Sequence, residues 1–287
     1  MPDHESIPGG AAEPGMYRLL DLRYGPGARQ LAVTEALMGA VASGVSPPVL
    51  RLYSWAEPVV ILGVSQPVAD LDLDACRARD YRVLRRLSGG TAVYHDADEI
   101  SVDLIVPPGT WFAPGDVTQA YARFSAVLGA ALAGLGVAVR PVSVAEARGS
   151  PVPAVLRPAC FGGLAPYELV RDGRKVVGLS QIRRRGVAVL QAALYRRFPA
   201  AALASALRVA RDDAEAWAAR LRQHAAGLDE LTPSPPNLPE VAAAIRAAFA
   251  EVLPCALRES DVTPEEDAAV TRLVREKYAA DDWSLRR

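Results

Sequence analysis

Residues 167–180 constrain this chain more than any other stretch. Asp172-Gly173 separates two apolar-rich runs, 167–171 and 175–180, and Asp-Gly between such runs is the strongest two-residue signal for a β-hairpin. The turn dictates a register: Arg171 opposite Arg174, Val170 opposite Lys175, Glu168 opposite Val177. Because strand side chains alternate between faces, Lys175 shares a face with Val170, Val177 and Leu179, with Glu168 diagonally opposite. An ammonium on such a face is either paired or depressed in pKa. The other reading is a side chain that snorkels to water, and the residues alone leave both open. The lysine itself is unusual. Of 32 Lys and Arg, Lys175 and Lys277 are the only lysines. An amine retained where arginine is otherwise preferred is a candidate for chemistry a guanidinium cannot perform. Lys277 has no such neighbours and reads as a chance survivor on a solvated surface.

Around the hairpin, periodicity predicts helices over 29–43 (ending at Gly44), 72–80, 118–135 (capped by Asp116, stopped by Gly136), 200–207, 213–226, 239–252 and 264–277. Strands are expected over 49–53, 59–62, 83–87, 100–106, 137–142 and 187–195. The proline-containing stretch 143–159 has no period and reads as a loop. Strands interleaved with helices, then a helical tail, indicate an α+β fold with a mixed β-sheet core flanked by helices. Residues 1–15 read as a disordered tail, 16–231 as a catalytic domain, and 232–287, after a proline-rich linker, as a helical C-terminal extension packed on it. The net charge of −1 gives no global field favouring nucleic acid or membrane. No stretch resembles a membrane span or signal peptide, so a cytoplasmic protein is the expectation.

Three widely spaced cysteines make neither a disulfide framework nor a zinc set. Cys76 and Cys255 read as packing residues. Cys160 lies in Arg157-Pro-Ala-Cys-Phe-Gly-Gly-Leu164. A lone cysteine is more often a small buried hydrophobe than a nucleophile. Here, however, Gly162-Gly163 offers backbone amides suited to an oxyanion site, and a neighbouring cation would favour the thiolate. The segment Arg85-Arg-Leu-Ser-Gly-Gly-Thr-Ala-Val-Tyr-His-Asp96 is a strand, a glycine turn and a second strand, a layout that lets backbone approach a ligand. It is not a P-loop, lacking Lys-Ser/Thr after the glycines. His95 at its end reads by motif rules as structural, with a base as the alternative. Arg183, Arg184 and Arg185, with Arg85 and Arg86, form either a solvated charge run or a basic rim for phosphate or an acidic partner. Nucleic acid is disfavoured because aromatic interleaving is missing.

Taken in order, Arg85-Arg86-x-Ser88-Gly89-Gly90-x-x-Val93-Tyr94-His95-Asp96, Cys160-Phe161, Tyr167-Glu168-Leu169-Val170, Gly173-Arg174-Lys175-Val176-Val177-Gly178-x-x-Gln181 and Lys277-Tyr278-x-x-Asp281-Asp282-Trp283 resemble the biotin/lipoate ligase superfamily. The likeness runs from about Leu19 to Trp283. ATP-using lipoate ligases carry an Asn-Asp pair before the lysine hairpin; Cys160-Phe161 in that region is similar instead to the cysteine octanoyltransferases. The resemblance implies that octanoate (or a lipoyl group) passes from acyl carrier protein to Cys160. It then passes to a lysine of a lipoyl-domain protein, such as glycine cleavage H protein or a 2-oxoacid dehydrogenase E2 subunit. It implies Cys160 as nucleophile and Lys175 as the lysine supporting the thiolate and polarising the acyl carbonyl. Arg86, Ser88, Gly89, Gly90, Tyr94, His95, Gly178 and Ser180 would shape the acyl pocket. No cofactor, ATP or metal is implied, since one thioester is exchanged for another and then for an amide. The chain departs from the pattern at Thr91, at Ser180 and at Ala192-Ala193 after Gln191, positions that bear on acyl length and acceptor. Two other functions compete: an ATP-dependent lipoate–protein ligase, and a silent scaffold that only docks carrier protein.

Overall fold

The computed structural model describes residues 15–150, 152, 156–184 and 186–286. Among them, eight strands form one mixed sheet in the order β11-β1-β2-β6-β10-β9-β8-β7, and three form a small sheet in the order β4-β3-β5. The strands are β1 (Met16–Gly25), β2 (Val49–Trp55), β3 (Val59–Leu62), β4 (Arg82–Arg85), β5 (Val93–His95), β6 (Glu99–Val106), β7 (Arg140–Pro141), β8 (Leu169–Arg171), β9 (Arg174–Arg184), β10 (Val187–Tyr195) and β11 (Ala256–Glu259). The helices are α1 (Gly27–Ala42), α2 (Leu73–Ala78), α3 (Val117–Gly134), α4 (Val144–Gly149), α5 (Ala200–Ala206), α6 (Ala214–His224), α7 (Leu238–Val252), α8 (Pro264–Leu273) and α9 (Asp281–Ser284). The fold is α+β, a mixed sheet flanked by helices, as the strand and helix pattern implied.

Alternation along the central strands divides the core in two. Leu50, Leu52, Val102, Leu104, Leu190 and Leu194 point to a face covered by α3 and α7. Tyr53, Trp55, Val189 and Tyr195 point to the other face, covered by α1 and the small sheet. The functional site lies in this second layer, between the sheets. Asp116 caps α3 by accepting from Thr118 N at 2.7 Å, as its position suggested.

Several elements differ from expectation. The strand over 137–142 shrinks to Arg140–Pro141, and the expected loop contains α4, whose start is capped by Ser143 accepting from Glu146 N. Strands β1 and β11 carry no sequence forecast. β11 is an exposed edge strand without apolar alternation, and it pairs in parallel with β1. The tail expected over 1–15 falls, apart from Gly15, outside the described residues. No helix of the described residues is long and apolar enough to cross a membrane.

Lys277 is not a solvated surface lysine. Helix α8 continues into a π-helical turn, Val274–Tyr278, whose wider winding sets Lys277 and Tyr278 toward one carboxylate. Lys277 Nζ and Tyr278 OH each donate to Glu35 Oε2 at 2.7 Å, and the ammonium lies 4.1 Å over the Trp283 ring. Trp283 Nε1 in turn donates to the Arg85 carbonyl at 2.8 Å, and Arg286 donates to the Val64 carbonyl at 2.9 Å. The C-terminal residues therefore clamp the strand ends that carry the glycine turn.

Candidate active site

The hairpin forms at Asp172-Gly173, with Arg171 opposite Arg174 and Val170 opposite Lys175 as expected. One step further the register slips. Leu169, not Glu168, faces Val177, because a bulge leaves Val176 as an extra residue on β9. Glu168, just before β8, still reaches Lys175: Nζ lies 2.8 Å from Glu168 Oε2. Lys175 is 1% exposed, so of the two readings the buried, paired one holds. Its ammonium also donates to the carbonyl of Cys160 at 2.9 Å and lies 5.2 Å over the Phe161 ring. Glu168 is fixed independently, accepting from Ala165 N at 2.7 Å.

Cys160 opens a single 3-10 turn, Cys160–Gly162. The turn is held from below as well. Cys160 N donates to the Ala92 carbonyl at 2.9 Å, Ala92 N to the Pro158 carbonyl at 3.0 Å, and Gln66 Nε2 to that same Pro158 carbonyl at 3.1 Å. The thiol is half-buried and lines a partly open cavity between the two sheets. Cys76, by contrast, sits in the core, and burial pushes its thiol up to about 11. Cys255 packs against the second apolar cluster. Gly162 N donates to the Ala159 carbonyl at 2.9 Å, so this amide is not an oxyanion donor, contrary to expectation. Its lack of a Cβ serves a close approach: a Cβ there would lie 2.6 Å from the Leu156 carbonyl oxygen.

Arg86 stands beside the thiol. Gly90 has a φ of +87°, and a Cβ built on it would lie 2.8 Å from Arg86 Nη2 and 3.7 Å from Cys160 Sγ. The guanidinium is held by the carbonyls of Ile61, Gly89 and Thr91 and by Ser88 Oγ. It is thus a cation fixed next to the sulfur by the glycine turn. Arg85, its neighbour, is buried and donates to the carbonyls of Gly63, Gln66 and Arg286. Neither belongs to a basic rim, which corrects that expectation. Of the remaining arginines, Arg183 donates to the carbonyls of Pro114 and Gly115, Arg184 is exposed, and Arg185 lies outside the described residues.

Of the residues expected to shape an acyl pocket, Arg86, His95, Gly178 and Ser180 line the cavity with Cys160. Ser88 is buried behind it, 3.4 Å from Ser180 Oγ. Gly89 is exposed and contributes its carbonyl to Arg86. Tyr94 is not in the cavity. Val93 and His95 share the inward face of β5, so alternation turns Tyr94 outward, edge-on to Tyr81 at 5.0 Å.

Strand register explains the rest of the cavity. One cross-strand row runs Tyr53–Ser101–Ala193–Gly178, and the adjacent row runs Arg51–Asp103–Gln191–Ser180. Small residues at Ser101, Ala193 and Gly178 leave a trough between larger side chains. The second row is a polar wall: Asp103 accepts from Gln191 Nε2 (2.8 Å) and Thr34 (2.6 Å), with Arg51 3.5 Å away. These lining residues carry no local motif and come together only through pairing of distant strands. Gly178 closes one end of the trough. A Cβ on it would lie 2.9 Å from Phe161 Cζ, and Phe161 is wedged between Tyr195 (5.2 Å) and Phe198 (5.5 Å). Gly178→Ala is therefore expected to displace Phe161 and the adjoining Cys160. The overpacking would cost about 1–3 kcal/mol, checked by urea unfolding.

A half-buried thiol thus lines a mostly apolar trough, with a fixed guanidinium nearby and a buried ammonium bonded to the carbonyl of the same residue. The structure superposes on one from an archaeal lipoylation system, a bi-partite lipoate protein ligase and its E2 lipoyl domain from Thermoplasma acidophilum, with a TM-score of 0.77 at 23% identity, covering 96% of this chain and 98% of that one. A lipoate-protein ligase A bound with ATP gives a TM-score of 0.74 at 22% identity, covering 96% and 99%. Residues 26–250 match the model of the lipoyl protein ligase A/B catalytic domain, and the chain belongs to that family. Over 273 residues it is 34% identical to Octanoyltransferase LipM of Kyrpidia tusciae, covering 94% of this chain and 99% of the relative. Octanoyltransferase LipM of Symbiobacterium thermophilum is 33% identical over 276 residues, covering 94% and 98%.

Proposed function

We propose that the protein is an octanoyltransferase of protein lipoylation, acting through a thioester on Cys160. The observation that carries this reading is the half-buried Cys160 thiol lining a mostly apolar trough, in a chain that aligns over 94% of its length with an octanoyltransferase. In the first step the Cys160 thiolate attacks the carbonyl carbon of an octanoyl thioester. A new C–S bond forms, the donor's C–S bond breaks, and the donor thiolate leaves and takes a proton. In the second step the neutral amine of an acceptor lysine attacks the Cys160 thioester. The amide forms, Cys160 leaves as thiolate, and the amine's extra proton passes to solvent. A thiol serves as both nucleophile and leaving group, and no nucleotide enters the balance.

Arg86, held by the glycine turn on the same side of the cavity as Sγ, offers positive charge to the reacting centre. Lys175 has three donors, two of them taken by Glu168 and the Cys160 carbonyl. The third serves the acyl oxygen as negative charge develops on it. The donor is acyl carrier protein, the acceptor a lipoyl-domain protein such as an E2 subunit or H protein, and the setting the cytoplasm.

Incubation with octanoyl carrier protein, without nucleotide, tests the reading. Intact-mass analysis should find one octanoyl group, released by hydroxylamine. An ATP-dependent ligase would instead release AMP from ATP and free octanoate and form no such adduct. For the carrier protein, which is acidic, the exposed Arg184 at the end of β9 provides attraction. Arg184→Glu is expected to slow acylation by octanoyl carrier protein roughly threefold to tenfold at low salt and to leave acylation by octanoyl-pantetheine unaltered. Equal rates with the carrier protein at all salt concentrations would remove the rim from the docking site.

A further inference from the structure

The far end of the trough holds groups that a hydrocarbon chain does not require. Glu99, opposite Tyr195, is fully buried and accepts from Trp55 Nε1 and from Ser101 Oγ. Burial pushes its carboxyl up. His95 is 6% exposed and stacks on Trp55 at 4.6 Å, with Nδ1 3.4 Å from Glu99 Oε2 but in no hydrogen bond. His95, Trp55 and Ser101 all line the cavity that contains Cys160.

Two independent measures place this polar cluster relative to the thiol. Along β5, Cys160 is bonded to Ala92, and His95 lies three residues further, about 10 Å away at the rise of a strand. Across the main sheet, the trough runs from Gly178, under Phe161, past Ala193 to Ser101, two strand spacings or about 10 Å. An extended eight-carbon acyl chain, seven bonds of about 1.5 Å in a zigzag, spans roughly 9 Å. Its terminal methyl therefore meets the imidazole and the Ser101 hydroxyl.

We propose that His95, backed by Trp55 and Ser101, is the end stop that sets the acyl-chain length of the transfer at about eight carbons. Up to the stop, each buried methylene is worth about a fourfold gain in affinity. Beyond it, a longer chain must push the imidazole off Trp55 or strip the buried Glu99 of its partners, a loss larger than that gain. His95 is thus a specificity-determining residue for chain length. The inference rests on the octanoyltransferase reading, and the test separates the two.

The test measures Cys160 acylation by intact mass, using pantetheine thioesters of even length from butanoyl to dodecanoyl. Wild type should peak at octanoyl, with decanoyl slower by about tenfold or more. In His95→Ala the decanoyl-to-octanoyl ratio should rise by about tenfold, whatever happens to the absolute rate. Ala193→Leu fills the trough one strand spacing from Gly178 and should move the optimum to hexanoyl or shorter, so the proposal stays testable if His95→Ala does not fold. Adducts that form with an unchanged length profile in the variants would overturn the end stop. No adduct at any length would overturn the octanoyltransferase reading itself, and the end stop with it.

Discussion

Cys160→Ser is expected to abolish the octanoyl adduct and to reduce transfer to the acceptor by roughly 10³-fold or more, the scale on which loss of a nucleophile registers. Among the described residues, no base is hydrogen-bonded to the Cys160 side chain to ionise a serine hydroxyl placed here. The neighbours of the sulfur are a guanidinium and, through the Cys160 carbonyl, an ammonium already paired with Glu168. Both groups are cations, and neither removes a proton from an alcohol. The fold should be untouched, because Cys160 is held by its main chain, through Ala92 and Lys175, and not by its side chain. Unfolding midpoints of wild type and variant should agree while the adduct vanishes. Retention of the adduct on Cys160→Ser would show that another group carries the acyl chain.

Lys175 provides the second large effect, with stability and chemistry to be separated. Lys175→Met leaves Glu168 as an uncompensated buried carboxylate, which should destabilise the protein by about 3–5 kcal/mol. Adding Glu168→Gln removes that charge, keeps an acceptor for Ala165 N, and should restore most of the lost stability. Transfer should not return, because on the proposed mechanism the amine that donates to the acyl oxygen is gone. Lys175→Arg should likewise keep the fold and lose most transfer, since a planar fork does not fit where a compact ammonium bridges Glu168 and the Cys160 carbonyl. The checks are urea unfolding and single-turnover octanoyl transfer. Wild-type-like turnover in Lys175→Arg, or recovery in the double variant, would reduce Lys175 to a structural role.

How far the site was legible depended on how local its causes were. The hairpin and the Val170–Lys175 pairing follow from one dipeptide and the pleat, and they hold. The bulge at Val176 has no local marker, so Glu168 was assigned the wrong cross-strand neighbour although it does reach Lys175. Adjacent residues Arg85 and Arg86 looked alike as charges. The chain separates them, one tied to the C-terminal residues and the other to the glycine turn beside the thiol. The pairing of Lys277 has no local sign, because its partner, Glu35, lies 242 residues earlier. Ser101, Ala193 and Gln191 became part of the site only through register between distant strands, which no motif announces.

Strand β1 imposes an order on the making of this molecule. One neighbour, β2, follows it shortly, but the other, β11, and the buried Glu266 that holds Arg18 at 2.6 Å emerge about two hundred and forty residues later, the Arg18–Glu266 separation being 248. During synthesis one edge of this strand must therefore wait, uncovered, until about two hundred and forty further residues have been made. Such long-delayed partners make folding slow and the nascent chain prone to stray pairing. Shielding by chaperones during translation would thus bear more heavily on the yield of this enzyme than on its activity once complete.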